Sequence, residues 1–243
     1  MIKRLLIIGF TIAPIMAITI IEPVDIASKP NGNSNLLDIG YSNSTGNSDT
    51  SRLNLKLLSD YSTKKSYSFI VGEYSYGKSD GKENINKYYI HTRMLRQLYR
   101  EHIWEIFGQI ENNRFQDLSL RQLIGAGVRF KLLKYLYFGS GAMIIDENLK
   151  NSNSKQFSRG NIYIAYRDEF NLNVPLKVVY TGYYQPAIRE ISDYRILQNI
   201  TLTIPITDNI GLNFKLEHAY DSIPPLGIEK SDLSQSTSLL YKF

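Results

Sequence analysis

Histidine and serine are the side chains in this sequence best suited to chemistry, because the chain contains no cysteine. His91, His102 and His218 are the only histidines, and no His-x-x-x-His or carboxylate spacing joins them into a metal site. The segment after His218 contains Ser236 and Ser238, and a serine beside a histidine is the pairing used in nucleophilic hydrolysis. Side chains alternate along a strand, however, and this alternation places both serines on the opposite side from His218. We therefore predict no catalytic residue, no metal and no cofactor, and hence no enzyme.

Two other segments resemble ligand-binding motifs but lack the residues that such motifs need. Gly125 and Gly127 do not form a phosphate loop, because the residues after them alternate like a strand rather than open a helix. We predict instead that they are small inward residues that let a neighbouring side chain cross the interior. The segment "DENLKNSNSKQ" lacks the ligand spacing of a calcium loop and is predicted to be a solvated loop. The 28 Lys and Arg against 23 Asp and Glu give a mild excess of +5, which predicts no nucleic-acid partner.

The elements that must position any site are long strands with one apolar face. In "RILQNITLTIPI", for example, Ile200, Leu202 and Ile204 share one face while Thr201 and Thr203 share the other. About twelve such segments lie near 35–43, 51–61, 66–77, 86–98, 102–113, 119–132, 134–146, 157–169, 173–185, 194–206, 209–220 and 233–243. Strands of a soluble β-sandwich, the alternative, are usually about five or six residues long, whereas a tilted membrane strand needs about nine to eleven. The sequence therefore predicts an all-β fold, an antiparallel transmembrane β-barrel of about 12 strands.

The connections between these segments alternate in length. "TKKS", "REH", "NLN" and "TDN" are short, whereas "GKSDGKENIN", "DENLKNSNSKQ", "QPAIREISD" and "DSIPPLGIEKSD" are long and polar. This layout predicts short periplasmic turns and longer extracellular loops in a Gram-negative-type envelope. A mean hydropathy of −0.24 excludes several helical spans but is ordinary for a barrel in which alternate residues face lipid.

The two chain ends carry targeting information. Lys3 and Arg4, followed by an uncharged run to Ile21, predict a secretory signal peptide over residues 1–21, with a single membrane anchor as the alternative. Residues 22–34 are predicted to be a linker and residues 35–243 the barrel. The chain ends on Leu239, Tyr241 and Phe243 at every second position, which predicts a closing strand paired with the first one. This aromatic end resembles the assembly signal read by the bacterial outer-membrane insertion machinery, so we expect that machinery and outer-membrane lipid as partners.

Two stretches resemble a known family. "IGYSNSTGNSDTSRLNLKL" and "IENNRFQDLSLRQLIGAGVRF" are similar to the domain of unknown function numbered 481, whose members are called YdiY-like or salt-induced outer membrane proteins. The second stretch carries the more specific residues, which are Arg114, Phe115, Asp117, Leu118, Arg121, Gly125, Ala126 and Gly127. Arg129 departs from the family, which tends to have a further glycine there. The resemblance implies a barrel in the cell outer membrane, and it implies no activity.

Charged residues on the inward face are the remaining functional signal. By parity this face carries Arg52, Lys56, Arg93, Arg129, Arg167, Lys177, Arg195 and Lys215 against Glu73, Glu105, Glu111 and Glu217. Because these bases outnumber the acids two to one, complete pairing is impossible, and water or an anion is expected inside. The predicted lumen-lining residues are Arg129, Arg167, Lys177, Arg195, Lys215, Glu105 and Glu217. These features predict a porin-like, narrow channel for small polar or anionic solutes. The alternatives are a structural or surface-interaction barrel and, more distantly, an outer-membrane hydrolase.

Overall fold

The protein is a closed barrel of twelve antiparallel strands in the computed structural model, which describes residues 30–44, 49–99, 102–150, 154–224 and 227–243. The strands are β1 (Gly32–Ser44), β2 (Thr50–Ser62), β3 (Ser66–Ser79), β4 (Lys82–Tyr99), β5 (His102–Asn113), β6 (Leu118–Leu133), β7 (Leu136–Leu149), β8 (Lys155–Asn171), β9 (Pro175–Pro186), β10 (Tyr194–Pro205), β11 (Ile210–Asp221) and β12 (Ser231–Lys242). Every predicted strand is present, with bounds that differ by four residues or fewer. The described part contains no helix long and apolar enough to cross a membrane.

Each strand pairs with its neighbours in the chain, and the last strand pairs with the first. The closing ladder runs from Leu36 opposite Lys242 to Ile39 opposite Leu239. Asn35 and Phe243 extend it by exchanging both backbone hydrogen bonds, at 3.2 and 3.1 Å. The prediction that the aromatic end closes the barrel is therefore confirmed. The predicted signal peptide lies outside the described residues, and β1 begins at Gly32, inside the segment predicted to be a linker.

The two ends of the barrel differ in their connections, and we call them the turn end and the loop end. The turn end has two to four residues per connection, namely 63–65, 100–101, 134–135, 172–174 and 206–209. The loop end has 45–49, 80–81, 114–117, 150–154, 187–193 and 222–230. The prediction of a long loop at "GKSDGKENIN" is wrong, because β3 and β4 continue through this segment to a two-residue turn. Asp80 and Gly81 both have positive φ, 50° and 75°, which is the backbone of a tight hairpin with the right-handed twist of its strands.

Apolar residues face outward along most strands, but the interior is not uniformly polar. Tyr67, Phe69 and Val71 of β3 are buried inside, while Ile70 of the same strand is exposed on the outer face. This two-sided apolar content explains why β3 shows weak alternation in its sequence. A second, larger interior cluster includes Phe107, Met143, Ile145, Tyr163 and Tyr183 from β5, β7, β8 and β9. Side chains thus fill the interior beside these strands.

Phe243→Ala should lower the yield of folded barrel. The substitution removes the ring that stacks on Tyr241 at 5.8 Å, at the strand end that completes the closing ladder. Heat-modifiable gel mobility of outer-membrane fractions would measure the folded yield. Lys242→Ala is the matched control, because Lys242 is exposed and non-aromatic at the neighbouring position. An equal yield from both variants would show that the terminal aromatic carries no assembly signal.

Candidate functional site

The interior of the barrel divides into a packed side and an open side. Most inward side chains of β4 to β9 are buried, because large aromatic residues and arginines from these strands fill the space around their smaller neighbours. Inward side chains of β1, β2, β12 and parts of β3, β4 and β11 are mostly half-exposed. Here the middle of β12 contributes small serines at Ser234, Ser236 and Ser238. The difference in side-chain volume leaves space along this wall.

The packed side is centred on one carboxylate, and we call Arg93, Glu105, Arg129 and Tyr163 the plug cluster. Glu105 accepts hydrogen bonds from Arg93 and Arg129, both at 3.3 Å, and from the Tyr163 hydroxyl at 2.9 Å. Arg129 also donates through Nε to the Tyr163 oxygen at 2.7 Å. The side chains of Arg93, Glu105 and Arg129 are each only 1% exposed. Two arginines thus share one buried carboxylate, in which each oxygen is hydrogen-bonded.

Glycines make room for this cluster. A Cβ atom on Gly139 would overlap the Tyr163 ring, and one on Gly125 would overlap the Phe107 ring and lie 2.9 Å from the Ala142 carbonyl oxygen. The predicted role of Gly125 is therefore confirmed. A Cβ on Gly127 would instead meet backbone, at 2.7 Å from the Ser140 carbonyl oxygen. Because Gly125 and Gly139 have no side chains, the Phe107 ring lies over β6 and the Tyr163 ring lies over β7, where its hydroxyl reaches Glu105.

A second chain of ion pairs lies nearer the loop end. This loop-end network consists of Glu111, Arg121, Glu147, Arg195 and Asp221, all buried. Arg121 pairs with Glu111 and donates to Glu147 at 2.7 Å. Arg195 lies 3.6 Å from Glu147 and donates to Asp221 at 2.8 Å. Charges alternate in sign along the network, so each buried arginine contacts two carboxylates, as buried charges require.

The open side carries charges that are accessible from the lumen. We call Arg52, Lys56, Lys87, Lys215, Asp38, Glu73 and Glu217 the open sector, and all seven are half-exposed and inward-facing. Lys56 and Glu73 lie 3.3 Å apart with side chains 29% and 20% exposed. Lys215 and Glu217 lie 2.8 Å apart, with side chains 23% and 24% exposed. These exposures exceed those of the plug cluster by more than tenfold, so this wall borders free space.

The predicted lumen-lining residues fall into three groups. Lys215 and Glu217 lie in the open sector, as just described. Arg129, Arg195 and Glu105 point inward but are buried in ion pairs, so they do not border free space. Arg167 and Lys177 lie at the turn end, where both contact Glu169, at 3.8 and 3.1 Å. The predicted two-to-one excess omitted inward acids, Asp38, Glu147 and Asp221. It also omitted inward bases, Lys87, Arg121 and Arg159, so the true ratio is closer to balance.

One serine–histidine contact exists, although not the one considered from the sequence. His218 Nε2 lies 3.0 Å from the Ser231 hydroxyl on the outer face of β11 and β12. In the described residues, no carboxylate hydrogen-bonds to the other ring nitrogen of His218, so this pair lacks the group that would orient a catalytic base. The described residues also contain no group of three His, Asp or Glu side chains that could hold a metal ion.

Comparisons with known proteins agree with this geometry. The family model described as "Protein of unknown function, DUF481" matches residues 37–243. The translocator domain of autotransporter NalP from Neisseria meningitidis is similar at a TM-score of 0.51 and 9% identity, covering 90% of this chain and 91% of that one. The NanC porin is similar at a TM-score of 0.52 and 10% identity, covering 86% of this chain and 98% of that one. No curated protein sequence matches the chain. At these identities the likeness shows the fold alone, which is that of outer-membrane barrels.

Proposed function

The chain belongs to the DUF481 family, and we propose that it is a barrel of the outer membrane whose open sector forms a narrow channel for small polar or charged solutes. One observation carries this proposal, namely the unequal exposure of inward charges on the two sides of the barrel. A barrel with a purely structural role needs no half-exposed charges in its interior, because packing its lumen fully would stabilise it more. Partly exposed, oppositely charged pairs such as Lys215–Glu217 would hold water along that wall and lower the barrier for a polar solute.

The ion preference of such a channel follows from the open sector. Four bases face three acids there, so the net field is weakly positive. Arg129 and Arg195 add little to this field, because their charges are compensated within buried pairs. We therefore propose a modest preference for anions that comes from Lys56, Lys215 and their neighbours. Salt should weaken it, because the screening length is about 3 Å at 1 M ionic strength.

Replacing Lys56 and Lys215 together by glutamine should shift the zero-current potential of the refolded protein toward cation selectivity. The reason is that Glu73 and Glu217 then face the open sector without their basic partners. A planar-bilayer recording under a salt gradient would measure the shift. Arg96→Gln is the matched control, because Arg96 carries the same charge on the exposed outer face of β4 and should leave the potential unchanged. An absence of conductance in all variants would favour the structural or surface-interaction barrel.

We also propose that the chain is not an enzyme and that His218 and Ser231 form an interfacial hydrogen bond. An activated serine should react with a fluorophosphonate probe, whereas a serine bonded to an unoriented histidine should not. We expect no labelling of the folded wild-type protein, and no difference between it and Ser231→Ala. Labelling that disappears in Ser231→Ala would instead establish the hydrolase alternative.

A further inference from the structure

The seam that closes the barrel is paired over only part of its length. Its ladder stops at Ile39 opposite Leu239, yet β1 continues to Ser44 and β12 begins as early as Ser231. Among the described residues, no ladder pair joins the rest of β1 to the rest of β12. Both stretches remain regular strands, because β1 stays paired with β2 up to Ser44 and β12 stays paired with β11 from Ser231. We call these two stretches without β1–β12 ladder pairs, 40–44 and 231–238, the upper seam.

The ladder between the two strands ends just before Gly40. A Cβ atom on Gly40 would still lie 3.3 Å from the Thr237 carbonyl oxygen, so the strands are close at this level. From Tyr41 onward, no ladder pair joins the described residues of β1 to those of β12. The opening therefore lies between residues 41–44 of β1 and the part of β12 that precedes Thr237.

The upper seam lies between the two aromatic belts of the barrel. Tyr241 and Phe243 stack on the outer face at the turn end. Tyr184, Tyr194 and Tyr220 form a row toward the loop end, with successive ring centroids 5.7 and 5.8 Å apart. Because Ser231 is paired with Tyr220, residues 232–238 lie between the belts. Such belts mark the two surfaces of the bilayer, so the upper seam lies at hydrocarbon depth.

Unpaired strand edges are costly at that depth. Asn35 and Phe243 exchange both hydrogen bonds, so the alternation of an antiparallel ladder directs the backbone groups of Tyr41 and Asn43 toward β12. The same alternation directs the backbone groups of Gln235 toward β1. Hydrocarbon cannot satisfy these donors and acceptors, so a polar group must reach them.

Most side chains around the upper seam are polar, although Tyr41 and Leu233 lie on its outer face. Continuing the register of the lower ladder would set the inward Ser42 opposite the inward Ser236. Gln235 and Thr237 occupy outward positions of β12, where most other strands carry apolar residues. Directly inside lie Asp38 of β1 and the Lys215–Glu217 pair of β11, which belong to the open sector. A continuous polar path therefore joins the open sector to the bilayer.

We propose that the upper seam is a lateral opening that admits the polar head group of a phospholipid-like amphiphile while its acyl chains stay in the bilayer. A phosphate and its substituents would meet the serine hydroxyls, the unpaired backbone groups and the charges of both signs behind them. The small serines of β12 add little bulk to this passage. The proposal depends on the barrel lying in a bilayer, as proposed above, but it does not depend on ion conduction through the open sector.

The chain has no cysteine, so a disulfide can close the upper seam without side reactions. Ser42→Cys with Ser236→Cys would join two inward residues at a non-hydrogen-bonded position, where side chains approach most closely. A short bis-maleimide can replace the disulfide if the gap is too wide. The protein is refolded into vesicles of phosphatidylglycerol that contain a lipid with a photoreactive diazirine on its head group. After illumination, mass spectrometry locates the labelled residues.

In the unlocked protein we expect the lipid to label inward residues in 52–56 and 213–217. Oxidation to the disulfide should lower this labelling at least fivefold, and reduction should restore it. Leu36→Cys with Lys242→Cys is the control, because it joins an existing inward pair of the lower ladder and should leave labelling unchanged. Inward labelling that is absent, or equal in locked and unlocked protein, would overturn the lateral opening. A disulfide that joins the introduced cysteines of two different chains would overturn it as well and identify a second copy as the occupant.

Discussion

Glu105→Gln should destabilise the folded barrel by roughly 3–5 kcal/mol, the usual cost of removing one partner from a buried ion pair. Glutamine has nearly the same shape, so the change removes charge without creating a cavity. It leaves the guanidinium groups of Arg93 and Arg129 buried together without a compensating carboxylate. Neither arginine can lose its proton to relieve this, because the guanidinium remains charged under all ordinary conditions.

Urea unfolding in lipid vesicles would measure the loss, with the fluorescence of the single tryptophan, Trp104, as the signal. Glu83→Gln is the control for the same chemical change at the loop end of β4. Glu83 pairs with Arg114 at 2.8 Å, but the Arg114 side chain is 60% exposed, so we expect a loss of about 1 kcal/mol or less. Similar losses for the two variants would mean that the plug cluster is solvated and does not divide the interior.

The strands and their faces could be predicted from the sequence because both depend on local pattern. Alternation fixes which side of a strand Leu202 or Thr203 occupies, and the register bears this out by pairing Leu202 with Phe214 and Thr203 with Asn213. The same reliance on local pattern explains why the sequence predicts a long loop where the structure has the two-residue turn Asp80–Gly81. Polar residues on both sides suggested a loop, whereas the positive φ available to Asp and Gly lets the strands continue.

The division of the interior could not be predicted, because it depends on contacts across strands that are not neighbours. Tyr163 of β8 reaches Glu105 of β5, and Arg195 of β10 reaches Glu147 of β7. These pairings depend on how far the strands are staggered around the barrel, which no single strand encodes. The alternation of side chains predicts that Arg129 points inward, but it does not predict that Tyr163 and Glu105 bury it.

Leu202→Arg should destabilise the barrel by roughly 2–4 kcal/mol, as basic residues do on the lipid face near the bilayer midplane. Leu202 is paired with Val178 and Phe214 on the outer face, within the apolar band between the aromatic belts. An arginine there has no protein partner and must draw water or lipid phosphate toward it. The expected loss of stability is comparable to that for Glu105→Gln, but the causes differ. Lipid does not solvate the new charge, whereas Glu105→Gln leaves two buried arginines without their carboxylate.

Thr203→Arg tests the same charge one residue further along, on the opposite face. Thr203 donates to Asn213 at 2.6 Å, and Asn213 donates to Asp38 at 3.0 Å, so an arginine at this position lies within reach of an open-sector carboxylate. We expect a loss of about 1 kcal/mol or less, because a charge that is hydrated and paired avoids most of the burial penalty. Urea midpoints in vesicles, read from Trp104, would compare the two variants. If Thr203→Arg lost as much stability as Leu202→Arg, the wall at β10 and β11 would border no water, and the channel proposal would lose its basis.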